Sequence, residues 1–303
     1  MSIDKVIVGR QVALFEDTIV ADVHTTEHGS ALSLVGNIMV HVMRSSFRNC
    51  SSASYGGAIF LDIKNRYDIC MSCFYGCKGG SHGSVFYTTS TDTAINDILF
   101  NSMSFCPLTR QTTYDVIYPI RGIINYKLNN NSYSQIGTSG CTVLYSCKSK
   151  ETTMCTNAHG ISDISFCLIR TREDYDFVVS KYNTVNLTKG SNSHGIFCTD
   201  NSDREVVDGC VVIRCEAISI TQGYSGGTTP ILKNCLLFGN KFDVKPQIEQ
   251  EENEITSILM EHLEEWDCYS VPSHASSAFT LHKLMGIRFC GILVLQISLL
   301  NES

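Results

Sequence analysis

Three blocks of the chain align without gaps at one constant interval, the distance from Phe47 to Phe74. Val20, Phe47 and Phe74 share one slot; Val23, Cys50 and Cys77 share a second, slightly farther on. Gly29, Gly56 and Gly83 share a third, each preceded by a ring: His28, Tyr55 or His82. Ala31, Ala58 and Val85 follow shortly after the glycine, and Leu32, Ile59 and Phe86 come next. A unit this short cannot bury its own apolar side, but stacked copies bury a continuous core. The runs between turns are rich in Val, Ile, Phe, Tyr and Thr and bounded by Ser, Asn and Gly, which is strand punctuation. Strand signals at such a period predict a β-solenoid, with Phe stacked on Phe, Cys on Cys and Gly on Gly. Glycine recurs where a turn needs positive φ or where coils approach closely.

Beyond Phe74 the pattern loosens. Phe105-Cys106 reads as the next copy of the Phe and Cys slots, with a loop of about four residues inserted. Further strands are expected at Thr142–Leu144, Ile161–Ile169, Phe177–Val179, Thr184–Leu187, Gly195–Cys198, Val211–Ile213, Ala217–Ile220 and Ile231–Phe238. His159-Gly160, His194-Gly195 and Gly226-Gly227 echo the earlier His-Gly and Gly-Gly pairs. Parallel crossovers are right-handed as a rule. The fold class read from the chain is therefore all-β, a right-handed parallel β-helix over about residues 12–245.

Charge divides the chain. Residues 1–245 hold 21 basic and 21 acidic side chains, whereas residues 246–303 hold 2 and 9 and carry the whole net charge of −7. The break near Pro246 separates a repeat domain, 1–245, from an acidic, partly helical C-terminal region, 246–303. There Ile255, Ile258, Leu259, His262, Leu263 and Trp266 line one face of a helix. Glu249, Glu251, Glu252 and Glu254 lie near its start, where carboxylates suit the dipole. That helix reads as a cap over the open end of the solenoid, with a partner-binding helix as the sharper reading. Phe289–Leu300 forms an apolar tail. It is well short of the roughly 20 residues that a membrane helix needs, so it reads as core, or as a truncated anchor, the one route to a membrane. Only 17% of residues are charged, which argues against disorder and coiled coils. The acidic balance excludes a general nucleic-acid-binding surface.

Fifteen cysteines is a high and odd number. The N-terminal segment shows no apolar core and no cleavage site of a secretory signal. The chain thus reads either as a cytosolic protein with buried thiols packed as small apolar groups, or as an incomplete form of an exported one. Sequons at Asn49, Asn130, Asn186 and Asn301 matter only for a secreted chain.

Gly56-Gly57-Ala58-Ile59, preceded by Phe47-Arg48-Asn49-Cys50-Ser51, carries a family resemblance. It resembles the polymorphic-membrane-protein-like repeat proteins of chlamydiae and trichomonads, in which GGAI and FxxN motifs repeat along a right-handed parallel β-helix. Gly29-Ser30-Ala31-Leu32 and Gly83-Ser84-Val85-Phe86 are degenerate copies of the first motif. Phe-x-x-Cys, at Phe47/Cys50 and Phe74/Cys77, stands for the second and looks more like the trichomonad branch. The resemblance spans roughly residues 20–240. It implies a non-enzymatic protein of cell-surface or extracellular location, used in adhesion or display, with a host or cell-surface protein or a glycan as partner.

Motifs with chemical potential have plainer accounts. His24-Thr25-Thr26-Glu27-His28 matches the inverted zinc-peptidase motif H-x-x-E-H, which works on a helix. Here it follows a strand pattern at Thr18–Val23 and holds two threonines, so a turn is expected. Cys70-x-x-Cys73 with Cys77 lacks the second close pair of a structural zinc site. Ser81-His82-Gly83 and Ser193-His194-Gly195 echo a triplet of polygalacturonases, which hydrolyse glycosides with two carboxylates. No Asp-Asp pair accompanies them, and Asp200, Asp203, Glu205 and Asp208 read as a solvated loop. No catalytic residue, cofactor or metal site is assigned. The alternative reading is a polysaccharide-active β-helix enzyme, pectate-lyase-like or polygalacturonase-like. Three or more carboxylates, His, Lys or Arg from successive coils within about 6 Å in one groove would overturn the non-enzymatic reading.

Overall fold

Buried and outward residues alternate along the strands of the first coils. Val40 and Val42 are buried between the half-exposed Met39, His41 and Met43 in the strand Met39–Met43. That alternation puts one row of side chains inside and one outside, as a pleated strand requires. The computed structural model describes residues 11–106 and 115–127 throughout, Lys5–Val8 by its backbone, and, from 129 to 249, short strands with a few residues beside them. All named elements are strands.

Three long sheets result. Sheet one has 11 strands, sheet two 9 and sheet three 8, and the chain visits them in turn. In the third coil these are Tyr67–Cys70, Cys73–Tyr75 and Phe86–Thr89. Neighbouring coils pair in parallel: Phe74 lies between Phe47 and Met103, and Phe86 between Ile59 and Ile117. The exception is Lys5–Val8, which runs antiparallel along Val12–Glu16 and covers the first edge of sheet one. The architecture is a parallel β-helix. Its sheet one reaches Ile248–Glu249, just past the composition break.

Like stacks on like in the interior. Phe47 and Phe74 lie with ring centroids 5.0 Å apart and planes 6° from parallel. They join a core that runs from Ala13 to Leu232 and includes Tyr67, Phe86, Ile98 and Phe197. Gly29, Gly56 and Gly83 all take positive φ, at 57°, 64° and 66°, turning the chain into sheet three. Gly57 is needed for closeness: a Cβ there would lie 2.0 Å from the Ser84 carbonyl oxygen of the next coil.

The structure corrects the reading of Phe105-Cys106. Met103, not Phe105, sits under Phe74. Thr89 pairs with Asp62 at the regular repeat interval, whereas Asp97 pairs with Asp68 at a longer one, so extra residues enter at the turn between Thr89 and Asp97. Cys106 keeps the cysteine slot; Phe105 is a corner residue with φ of 54° whose ring meets Tyr75 edge-on. Several runs expected as single strands bend at a corner: Ile231–Lys233 and Leu236–Phe238 lie in different sheets, as do Ile161–Ser162 and Ser165–Arg170. The expected C-terminal helix and the apolar stretch 289–300 lie outside the described residues.

Gly57→Ala should cost about 3 kcal/mol or more, because backbone rather than a flexible side chain blocks the Cβ. Val35→Ala, at a side chain 69% exposed, should change stability by less than about 0.5 kcal/mol. Urea unfolding of both variants checks the contrast.

Candidate functional site

A solenoid corner takes backbone groups out of the strand ladders, and each must find another partner. At the corner between sheets one and two, Thr18, Ser45, Ser72, Asn101 and Asn129 stack in one file. The Thr18 N–H donates to Ser45 Oγ (3.3 Å), that of Ser45 to Ser72 Oγ (3.2 Å), and those of Ser72 and Asn101 to Asn101 and Asn129 Oδ1 (3.0 Å each). The hydroxyls donate back to the Glu16, Met43 and Cys70 carbonyls just upstream. The asparagine amides reach farther, to the Ile69 and Ile98 carbonyls of the preceding coil.

The opposite corner of sheet two does the same with sulfur. Cys50, Cys77 and Cys106 point their thiols at Val20, Phe47 and Phe74 carbonyls of the coil before. Cys106 Sγ also accepts the Cys77 N–H at 3.2 Å. The neighbouring thiol Cys77 and burial both push the Cys50 thiol pKa up, and burial pushes Cys77 up. Thiolate chemistry is thereby suppressed at these two positions. Farther along, Asn240 accepts the Cys215 N–H at this same corner, while at the first corner the Cys235 thiol donates to the Val207 and Lys233 carbonyls. All eight described cysteines are free thiols. Cys70, raised to about 12 chiefly by burial, and Cys73 flank the first corner. Among the described residues, no three metal-ligating groups are arranged to hold an ion.

Two groups of side chains on the outside could do chemistry. The first lies on sheet one, where His41, Asp68, Asp97 and Asn125 occupy one outward slot in successive coils. His41 Nδ1 is 2.8 Å from Asp68 Oδ2. Arg66 bridges both aspartates, with Nε 2.7 Å from Asp68 and its terminal nitrogen 2.8 Å from Asp97. Asn125 donates to Asp97 at 2.7 Å. Burial would raise the Asp68 pKa, but hydrogen bonds from His41 and Arg66 outweigh it and hold the carboxyl below its usual range. A second ion-pair group, Arg44 with Glu16 and Asp17, sits at the adjoining corner.

The other group is a double file of rings beside the glycine turn. His28, Tyr55 and His82 form one file, and Phe60, Tyr87 and Tyr118 the other. The files cross-contact at 4.5, 4.8 and 4.4 Å through His28–Phe60, Tyr55–Tyr87 and His82–Tyr118. Most of these rings lie stacked face over face, so neighbouring rings cover much of one another's surface. Below His82 sits Asp115, with its side chain 0% exposed against 28% for the histidine. Asp115 Oδ2 lies 3.2 Å from His82 Nδ1 and accepts the Gly83 N–H at 3.0 Å. Burial raises the Asp115 pKa to about 6, against the opposing pull of His82 and Gly83.

Phe47, Phe74, Cys50, Cys77, Ala58 and Ile59 are core, and Gly56, Gly57 and Gly83 are turn or contact positions. His24 lies in a two-residue strand beside Ser51, and His28 is in the ring stack, so H-x-x-E-H is not helical. Asp200 ends one strand while Glu205 and Asp208 belong to another, so that acidic group is not one loop; Asp203, His159, His194 and Gly226-Gly227 lie outside the described residues. The corner file and the sheet-one charge group were missed. Thr18, Ser45 and Ser72 recur at the same interval as the phenylalanines and were open to detection.

The convergence criterion drawn from the sequence is met by His41, Arg66, Asp68 and Asp97, which come from neighbouring coils. It proves too permissive. Parallel strands lie about 4.8 Å apart, so any outward slot filled with charge in successive coils satisfies it. Comparison with protein-family models, with curated proteins and with solved structures finds no match to the chain.

Because its folded pKa is depressed, Asp68 contributes stability above its unfolded pKa, near 3.9. That contribution is lost as pH falls through the lower folded value. Asp68→Asn should therefore be less stable than wild type at pH 6, with the difference shrinking below about pH 4. Urea midpoints at the two pH values measure it.

Proposed function

We propose that the chain is a non-enzymatic β-helix whose outer surface serves adhesion or display, as in the chlamydial and trichomonad repeat proteins that its Gly56–Ile59 and Phe-x-x-Cys motifs resemble. The partner class that follows is a host or cell-surface protein or a glycan, met along an extended solenoid face. The observation that supports this reading is mutual saturation. Asp68 is hydrogen-bonded by His41 and Arg66, Asp97 by Arg66 and Asn125, and Asp115 by His82 and Gly83. Glycoside hydrolysis needs a protonated carboxyl beside an ionised one, both facing substrate. Among the described residues the carboxyl with the raised pKa, Asp115, is buried, and Asp68 on sheet one is held below its usual carboxyl range.

A polysaccharide-active enzyme is the second reading, favoured by one observation: His41, Arg66, Asp68 and Asp97 do converge. The two readings separate in solution. The full chain incubated with polygalacturonate and pectin should release no reducing ends and no ultraviolet-absorbing unsaturated products. On an array of surface glycoproteins and glycans it should bind saturably to at least one. Turnover that disappears in Asp68→Asn would overturn the adhesive reading in favour of the enzyme.

A further inference from the structure

Two aspartates are buried in neighbouring coils, and their partners differ in kind. Asp68 is met by Arg66, whose charge is permanent. Asp115 is met by His82, whose charge is not. Among the described residues no lysine or arginine hydrogen-bonds Asp115; its carboxyl oxygens meet His82 and the Gly83 N–H. Among the described residues Tyr87 also senses its charge, and Tyr87 in turn feels Tyr55 and Asp62. Tyr118, from the strand after Asp115, stacks on His82 at 4.4 Å.

Position gives the pair leverage. The Ser84 and Val85 N–H groups donate to the Asp115 and Val116 carbonyls, and Ser84 Oγ donates to the Asp115 carbonyl as well. One short segment, Gly83–Val85, thus hangs on Asp115-Val116 through both backbone and carboxylate. It is also the segment that turns into sheet three.

We propose that Asp115 and His82 form a proton-operated clasp between the third and fourth coils, closed when the pair holds a proton and loosened when it gives that proton up. Protonated, the pair is either a neutral acid beside a neutral imidazole or an ion pair, and in both forms its net charge is zero. Deprotonated, Asp115 is a carboxylate out of water that meets the Gly83 N–H and the His82 ring, and burying a charge is costly. The two side chains lie within hydrogen-bond reach, so the apparent pKa read at the Asp115 carboxyl belongs to the pair.

The sign follows from linkage. A carboxyl whose folded pKa is raised binds its proton more tightly in the folded state. Its contribution is fully present below the unfolded pKa and is lost as pH rises through the folded one. For Asp115 that window runs from about 4 to about 6. Wild type compared with Asp115→Asn, which keeps an oxygen for the Gly83 N–H and carries no charge, cancels the titration of groups that do not sense the Asp115 charge.

The test is hydrogen exchange of the Gly83, Ser84 and Val85 amides in the full chain, at pH 5 and pH 7.5. The wild-type to Asp115→Asn ratio of protection factors should be about tenfold higher at pH 5. His82→Gln, read by the carboxyl carbon resonance of Asp115, should shift the titration midpoint upward, because the histidine favours the ionised form. An equal ratio at both pH values, or an Asp115 midpoint unmoved in His82→Gln, overturns the clasp. If Asp115→Asn does not fold, the His82→Gln midpoint alone decides.

Discussion

At each corner of the solenoid the backbone leaves the ladder that satisfied it. The corners beside sheet two meet that demand with side chains that reach from coil to coil. Thr18, Ser45, Ser72, Asn101 and Asn129 form one such file, and Cys50, Cys77 and Cys106 another. Each side chain accepts or donates across about one strand spacing, so the next coil has to arrive in register. An unpaired buried amide costs about 1–3 kcal/mol, which makes register at these files a matter of energy and not of shape alone. The left-handed corner residues follow from the same demand. Asp17, Arg44, Met71 and Phe100 precede Thr18, Ser45, Ser72 and Asn101, and all four take positive φ. None is glycine, so each carries a strain that the bonds beside it offset.

The stacking that satisfies the corners also pairs charges on the outer face of the described coils. Like slots recur one strand apart, so an outward aspartate meets the next coil's aspartate, and Arg66 between them prevents repulsion. Rings placed in such slots cover one another's faces, as His28, Tyr55 and His82 do beside Phe60, Tyr87 and Tyr118. The Asp115–His82 pair departs from the pattern: its buried carboxylate is left to a titratable partner.

How much of this was legible in the chain depended on where the spacing stayed constant. Phe47 over Phe74, Cys50 over Cys77 and Gly56 over Gly83 were readable because no residue is inserted among those copies. The next copy was misread at Phe105, since extra residues enter after Thr89 and Met103 replaces the aromatic. The corner file hid behind a change of chemistry: Asn101 does the work of Ser72, and identity-based alignment does not equate them. The sheet-one charge group was invisible for a different reason. His41, Asp68 and Asp97 share a slot without sharing a residue type throughout, and only the register of the strands brings them together.

The stacking depends on the corner file holding coil to coil, and Asn101 and Asn129 test that link most directly. The Asn101 amide and N–H both donate to Asn129 Oδ1 at 3.0 Å. A double-mutant cycle with Asn101→Ala and Asn129→Ala, measured by urea unfolding of the full chain, isolates that link. Each single change should cost about 1–3 kcal/mol, with a coupling energy of about 0.5 kcal/mol or more between them. Two small and additive losses, each below about 0.5 kcal/mol, would contradict the claim that this file sets the stacking.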